Sequence, residues 1–389
     1  MKIGVIGGGI AGLTAAYELA KRGHKVTLFE SRSQLGGQVG TFHIGGGRLE
    51  GLYHHIFTTD SDLLDLLQEL GLSQRLLWLD SRVGFLHRGR VYDFVTPWDL
   101  LRFTPVGFLD RLRLGLVGLH LRRFKDWQRL EGFTAREWII RYAGKRNYDV
   151  VWGPLLRGKF GDFHDRVGMV WVWGKIHLRF ASRGRGMQQE KLGYLEGSFG
   201  LLIDALAQRI KEMGGNIFTS TTAEQVAVEG GKVTGVHVEG PTGQAFHPLE
   251  AVLATISSHR FLSIAPQLPA DYAEKLRQVR YLGALCLVLS LKQSLSPIYW
   301  LNISDPDVPF VLAVEHTNLI DRSRYGGKHI LYLSNYLDLA SPLYQAEPQE
   351  VLNAYLPSLQ KINPKFDPAW VEEYHLFRDE AGQPVITTH

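Results

Sequence analysis

The pattern that most constrains this chain is its opening, KIGVIGGGIAGLTAAYELAKRGHKVTLFE, which parses as strand, turn, helix, strand. Residues Lys2 to Ile6 are a short apolar run, as a strand buried on both faces requires. Gly7, Gly9 and Gly12 then give G-x-G-x-x-G. Ile10, Leu13, Ala16, Tyr17 and Ala20 follow at helical spacing, and Gly23 is placed to end the helix in the left-handed conformation. Lys25 to Phe29 read as a second strand, closed by Glu30. Each part has a physical job. Gly7 permits a tight turn, Gly9 lets a pyrophosphate approach the backbone, and Gly12 lets the helix pack close to the strand. The helix N-terminus, opening with Ile10 and Ala11, then faces the anion. Glu30, 18 residues after Gly12, can accept hydrogen bonds from ribose hydroxyls. A G-x-G-x-x-G alone is a weak signal; in register with both strands and the acid it points to a dinucleotide.

Composition narrows the class. A chain of 389 residues has room for two domains with real cores. Apolar residues at 45% and charged ones at 21% are those of a globular protein, which sets disorder and fibrous classes aside. The net charge of +4 is modest for this length and gives no ground for nucleic acid. One cysteine, Cys286 in GALCLVLSL, excludes a disulfide framework, a cysteine zinc site and a CxxC redox pair. The thiol reads as a core residue and the chain as cytoplasmic. Lys2 with the apolar run to Tyr17 mimics a secretory signal, but the fixed glycines, Glu18 and the following strand argue against one. No window has the unbroken apolar length of a membrane-spanning helix.

After Glu30 the chain reads SRSQLGGQVGTF, placing Ser31 and Arg32 toward an adenosine and the pair Gly36-Gly37 where backbone can press on a phosphate chain. On these residues the sequence resembles the FAD-dependent amine oxidase superfamily. That group includes protoporphyrinogen oxidase, carotenoid desaturases and, more distantly, UDP-galactopyranose mutase. The runs EGLYHH and VVWGPLLRGKFGDFHDRVGMVWVWGKIHLRF are most similar to bacterial protoporphyrinogen-oxidase-like proteins. The resemblance implies FAD as cofactor. It implies a glutathione-reductase-like, Rossmann-type α/β FAD-binding domain and a substrate domain of antiparallel sheet with a helical insertion. Gln38 stands where the family often has Arg, so a contact near the flavin differs. The family's course carries RLEGLYHHIFTTD past the flavin ring, which puts His54 and His55 among the candidates. On a strand these adjacent histidines point to opposite faces, so one of them at most faces the ring easily. By register, Val226 matches the position whose backbone pairs with adenine.

Beyond these motifs the chain is organised by composition. DLLDLLQELGL is an amphipathic helix capped by Asp60 or Ser61 and ended by Gly71. Residues 100–130 hold seven basic side chains against Asp110 and Asp126, with leucines at 112, 114, 116, 119 and 121 between them. Such a segment suits an anionic membrane surface; the reading favoured on sequence is a packed helix with its basic face in water. Six of the nine tryptophans fall between Trp98 and Trp173, which suits a large apolar substrate as well as a plain core. Arg157, Lys159, Arg179, Arg183 and Arg185 are candidates for a carboxylate or phosphate. GYLEGSFG leads into a helix from Phe199 to Met213, a strand from Glu224 to Val228, a hairpin at Gly230-Gly231 and a strand from Ala251 to Thr255. Leu282 to Leu337 alternates as an antiparallel sheet, with Glu315, His316 and Asn318 as candidates for the substrate face. Lys292 is either a flavin-site lysine or, the better reading, an exposed strand end.

The expected division is 1–80 and 193–260 for the FAD-binding domain, and 81–192 and 261–389 for the substrate domain. The function implied is FAD-dependent oxidation or desaturation of a bulky apolar or amine-bearing small molecule, with no metal. A non-redox nucleotide-sugar mutase and a non-catalytic flavoprotein fold are the alternatives. The chemistry is the cofactor's, so no acid–base residue need stand out. The stretch FRDEAGQPVITTH resembles the family's lead-in to a last glycine turn and helix, which do not follow; weak FAD retention is the expectation.

Overall fold

The N-terminal pattern folds as its spacing predicts. In the computed structural model, which describes residues 1–181 and 190–388, strand Lys2–Ile6 leads into helix Ile10–Lys21 and strand Lys25–Phe29. The helix buries Leu13, Ala16, Tyr17 and Ala20, and the chain leaves it through Gly23 at φ 78°. These strands centre a parallel sheet ordered Asn216–Phe218, Lys25–Phe29, Lys2–Ile6, Ala251–Ala254. Ile3 pairs with Val26 on one side and Ala251 on the other. Half of this sheet therefore comes from beyond residue 215. Helix Gly200–Glu212 packs beside Ile10–Lys21. Strands Thr222–Glu229, Lys232–Gly240 and Gly243–Pro248 form a separate antiparallel meander. Asp60 stands at the N-cap of helix Ser61–Glu69, but its carboxylate turns back to accept the Phe57 N–H.

A second, seven-stranded sheet runs Val371–Pro384, Tyr281–Leu291, His329–Leu337, Leu312–Glu315, Trp300–Ile303, Val83–His87, Arg90–Asp93. Tyr281–Leu291 is buried from Leu282 onward, which explains its unbroken apolar sequence; Cys286 lies fully buried within it. The sheet is antiparallel with one exception: Trp300–Ile303 pairs parallel with Val83–His87. Parallel neighbours need a long crossover, and here more than two hundred residues intervene, including all the helices of the insertion.

The insertion stands on this sheet. Thr96 and Thr134 close capping boxes with Asp99 and Glu137, starting helices Pro97–Arg102 and Ala135–Ala143. Helices Phe108–Arg123, Gly153–Phe160 and Met169–Ala181 complete it around Leu121, Trp138, Leu156, Phe160, Met169 and Val172. Helix Phe108–Arg123 departs from the simple packed-helix reading. Leu114 and Leu121 are buried, yet Leu109 is 78% exposed, Leu116 68% and the neighbouring Trp98 69%. Its outer face is apolar and basic at once. Among the described residues no helix is long and apolar enough to cross a membrane. After Pro384 the chain reaches the insertion, where the Gly168 N–H donates to the Ile386 carbonyl at 3.1 Å.

Candidate functional site

Two glycine loops meet at the end of the first strand. The Gly8 N–H donates to Glu30 Oε2 at 2.6 Å, and the Gly36 N–H donates to the Gly8 carbonyl at 2.8 Å. Gly7, Gly36 and Gly37 have φ of 105°, 115° and 56°, the left-handed region that only glycine enters without strain. A Cβ on Gly12 would lie 1.8 Å from the Gly7 carbonyl oxygen, so the helix approaches the strand as closely as the motif requires. A Cβ on Gly9 would meet Gly37 Cα alone, at 3.8 Å, and points into the gap between the loops. Helix Ile10–Lys21 begins there with Gly9 at its N-cap, no side-chain cap and no acid in its first turn. An uncapped helix start beside a slot walled by glycine backbone fits a pyrophosphate. Glu30 is buried; its Oε1 accepts from the Arg32 N–H at 2.8 Å and the Ser31 hydroxyl at 3.3 Å. It thus shapes the loop besides offering a remaining lone pair to a ribose.

The other candidates radiate from this cradle. Arg32 is exposed and pairs with Asp379 at 3.6 Å. Gln38 follows the second glycine pair and donates to the Ala381 carbonyl at 3.2 Å. Val226 is buried beside Ile6 and Phe29, and its strand begins where the Thr221 N–H donates to the Glu30 carbonyl at 2.8 Å.

Gln38 also marks one end of a 690 Å³ cavity between the seven-stranded sheet and the insertion. Tyr53, His54, Gly382 and, edge-on to Tyr53, Trp300 also line it, and Trp138, Trp152 and Trp171 wall it on the insertion side. His54 and His55 both line the cavity, which corrects the opposite-face expectation. Residues 53–55 are irregular, not strand, so alternation does not apply. His54 Nδ1 bonds the Leu52 carbonyl at 2.8 Å, and burial lowers its pKa. His55 sits among Phe57, Tyr299 and Trp300; burial, then Arg179, His54 and Lys175, push it down to about 3. It is neutral at any ordinary pH.

Three expected substrate-face residues prove structural. Glu315 accepts from the Leu295 and Ser296 N–H groups at 3.2 and 2.8 Å. His316 bonds the Tyr325 hydroxyl at 2.8 Å, and Asn318 donates to the Ser296 and Ile298 carbonyls. None lines the cavity. Lys292 is an exposed strand end, and Arg157 is exposed outside the lining, whereas Lys159 and Arg179 reach the cavity. Arg183 and Arg185 lie outside the described residues. Sequence reasoning missed Lys175, Trp300, Tyr336 and Gly382. For Lys175 a signal existed: Trp171, Lys175 and Arg179 recur every fourth residue, one face of a helix. Among the described residues no cluster of His, Cys, Asp and Glu could hold a metal ion.

Residues 10–380 match the family of flavin containing amine oxidoreductases. Zeta-carotene desaturase of Arabidopsis thaliana is 34% identical over 179 residues, covering 40% of this chain and 32% of that protein. Coproporphyrinogen III oxidase of Propionibacterium freudenreichii is 27% identical over 319 residues, covering 68% of this chain and 59% of that one. The chain thus spans less than two thirds of these relatives. An oxidoreductase from Methanosarcina mazei superposes with TM-score 0.74 at 20% identity, covering 98% of this chain and 89% of that one. Reduced UDP-galactopyranose mutase gives 0.74 at 18%, covering 99% and 84%. At such identities the likeness is one of fold.

Proposed function

Because this chain belongs to the flavin containing amine oxidoreductases, whose cofactor is FAD, we propose that it oxidises a bulky apolar molecule held in the cavity beside the glycine cradle. The observation that carries this reading is the continuity of cradle and cavity. Gln38 follows Gly36-Gly37 directly, lines the cavity and bonds the strand that carries Gly382. In this reading Gly7 to Gly12 and Gly36-Gly37 hold the pyrophosphate, Glu30 to Arg32 the adenosine side, and Val226 backbone the adenine. Residues 1–80 and 193–260 form the cofactor unit and the remainder the substrate unit. FAD, when bound, supplies the hydride acceptor. The chain supplies an apolar, aromatic enclosure that orients the substrate and excludes water. With His54 and His55 held neutral by burial, the enclosure offers no charged base at its cofactor end. Aliphatic and indole walls suit a hydrocarbon body, not a nucleotide sugar.

The same reading gives helix Phe108–Arg123 a second role. Its exposed leucines and Arg122, Arg123 and Lys125 lie against an anionic lipid surface, while Leu114, Val117 and Leu121 line the cavity behind. An apolar substrate would pass from lipid to site along one helix.

The test is anaerobic reduction. FAD-loaded chain is mixed with polyenes and cyclic tetrapyrrole reductants, and oxidised-flavin absorbance is followed. Bleaching by one of these donors is expected. Stoichiometric FAD that no apolar donor reduces, with binding of UDP-sugars, would replace this reading with that of an isomerase.

A further inference from the structure

We propose that the cavity contains an anion subsite, formed by Lys159 and Lys175 beside Arg179, and that the substrate is an apolar body with an anionic head. This rests on the cavity being the substrate site. Charge selects the class. Among the described residues the cavity lining holds three cations, Lys159, Lys175 and Arg179, and no aspartate or glutamate. Arg179 is paired with Glu190 at 3.1 Å. The two lysines have no carboxylate partner among the described residues, so their charges are left to a ligand.

The aromatic faces point the same way. Lys159 Nζ lies 3.7 Å from the centre of the Tyr336 ring, the Arg179 guanidinium 5.5 Å from that of Trp300, and Lys175 Nζ 5.6 Å from that of Trp171. Rings of this kind would bind a ligand ammonium by cation–π attraction. Here the protein's own cations cover them, so an amine would meet like charge. Lys175 keeps much of its surface accessible, yet desolvation, then Lys159 and Arg179, lower its pKa. A bound anion relieves that repulsion. His54 and His55 are neutral and add nothing to it.

Position supplies the rest. The Tyr336 hydroxyl is 3.0 Å from that of Tyr53, and Trp300 stands edge-on to Tyr53 at 5.1 Å. Lys159 is therefore one aromatic layer from the cofactor end, on Tyr336, and Arg179 likewise on Trp300; Lys175 stands beside them on Trp171. A head group anchored there fixes which carbon of the body lies toward Gln38 and Gly382. Carboxylate and phosphate heads share this chemistry.

Calorimetry on the full chain with dodecanoate, dodecyl phosphate, dodecanol and dodecylamine, each below its micelle concentration, separates the possibilities. One of the anions should bind about tenfold or more tighter than dodecanol, the return from a single charge-assisted contact; which one identifies the head. Dodecylamine should bind more weakly than dodecanol. Lys159→Met with Lys175→Met should abolish the anion preference and leave dodecanol affinity unchanged, which also reports an intact fold. Lys159→Arg with Lys175→Arg should retain the preference, as should Arg122→Ser with Arg123→Ser on the outer face. Amine binding equal to the anions, or a preference that survives the double methionine variant, overturns the subsite. Dodecanol binding without anion preference overturns the subsite alone, and failure of all four probes to bind removes the cavity reading with it.

Discussion

Gly9 and Gly12 stand three residues apart and should fail differently when given a side chain. At Gly12 the new Cβ meets the Gly7 carbonyl oxygen at 1.8 Å, backbone against backbone. Gly12→Ala should therefore cost several kcal/mol of stability, measured as a lower Tm or loss of soluble protein. At Gly9 the φ of −72° suits any residue, and the Cβ meets only Gly37 Cα at 3.8 Å. Gly9→Val should fold with a near-normal Tm and show no FAD binding by absorbance titration. Unchanged FAD affinity in folded Gly9→Val would remove the cradle assignment. Glu50 offers a pH test. Its carboxyl accepts from the Tyr194 hydroxyl and the Phe199 N–H, both at 2.7 Å, but burial raises its pKa from 4.5 to about 7. A raised folded pKa gives stability that is full below 4.5 and lost as pH rises through about 7. The loss over that window is about 3 kcal/mol. Glu50→Gln keeps an acceptor for Phe199 and cannot ionise, so its Tm should decline less between acid and neutral pH. Parallel Tm curves would mean that Glu50 stays charged in the fold.

At the scale of elements, helix Phe108–Arg123 is the one whose sequence and surroundings disagree most. Its arginines divide into two groups. Arg111 donates to the Leu101 carbonyl, and Arg113 to the Tyr142 and Arg141 carbonyls at 2.6 and 2.7 Å. These hold the helix in place. Arg122 and Arg123 are exposed. Liposome flotation with anionic vesicles should show binding that falls with salt, with Arg122→Glu plus Arg123→Glu, and with Leu109→Asp plus Leu116→Asp. No flotation at low salt would leave the exposed leucines unexplained by lipid. The mixture of leucine and basic residues in this helix was legible in the sequence; which leucines face outward was not, because Leu112, Leu116 and Leu119 fall on the face opposite Leu114 and Leu121 and either face could have been covered. The glycine cradle was legible because strand, turn and helix are contiguous. Lys175 could have been read from its spacing to Trp171 and Arg179. Lys159 was legible as a candidate for an anionic group, and it lines the cavity. Tyr336 and Trp300 could not be read, since they meet it only when sheet and insertion close together. Glu315 and His316 looked like site residues because polarity in a strand suggests exposure. Partners from distant segments, Leu295, Ser296 and Tyr325, satisfy them instead.

The molecule as a whole joins segments 343 residues apart beside the glycine cradle. Arg32 pairs with Asp379 at 3.6 Å and Gln38 bonds the Ala381 carbonyl at 3.2 Å, so the second glycine loop and the last strand already touch. Strand Val371–Pro384 pairs along Tyr281–Leu291, but its register shifts between Gln383 and Asp379. Glu380, Ala381 and Gly382 fall in that shift and have no ladder partner on Tyr281–Leu291. Backbone left out of a ladder exchanges its amide hydrogens faster than its paired neighbours, and here the Ala381 N–H donates to Asp379 Oδ1 at 3.0 Å and not to a strand. A cofactor whose phosphates lie at Gly7 to Gly12 and whose far end reaches Gln38 must cover both places. Hydrogen exchange followed by mass spectrometry should therefore show FAD slowing residues 7–12 and 380–382 together, with little change in the meander hairpin at Gly230-Gly231. Gly9→Val should lose both effects at once, because one ligand produces them. Protection confined to residues 7–12 would put the far end of the cofactor somewhere other than Gln38 and Gly382, and the cavity would then need another route to the flavin.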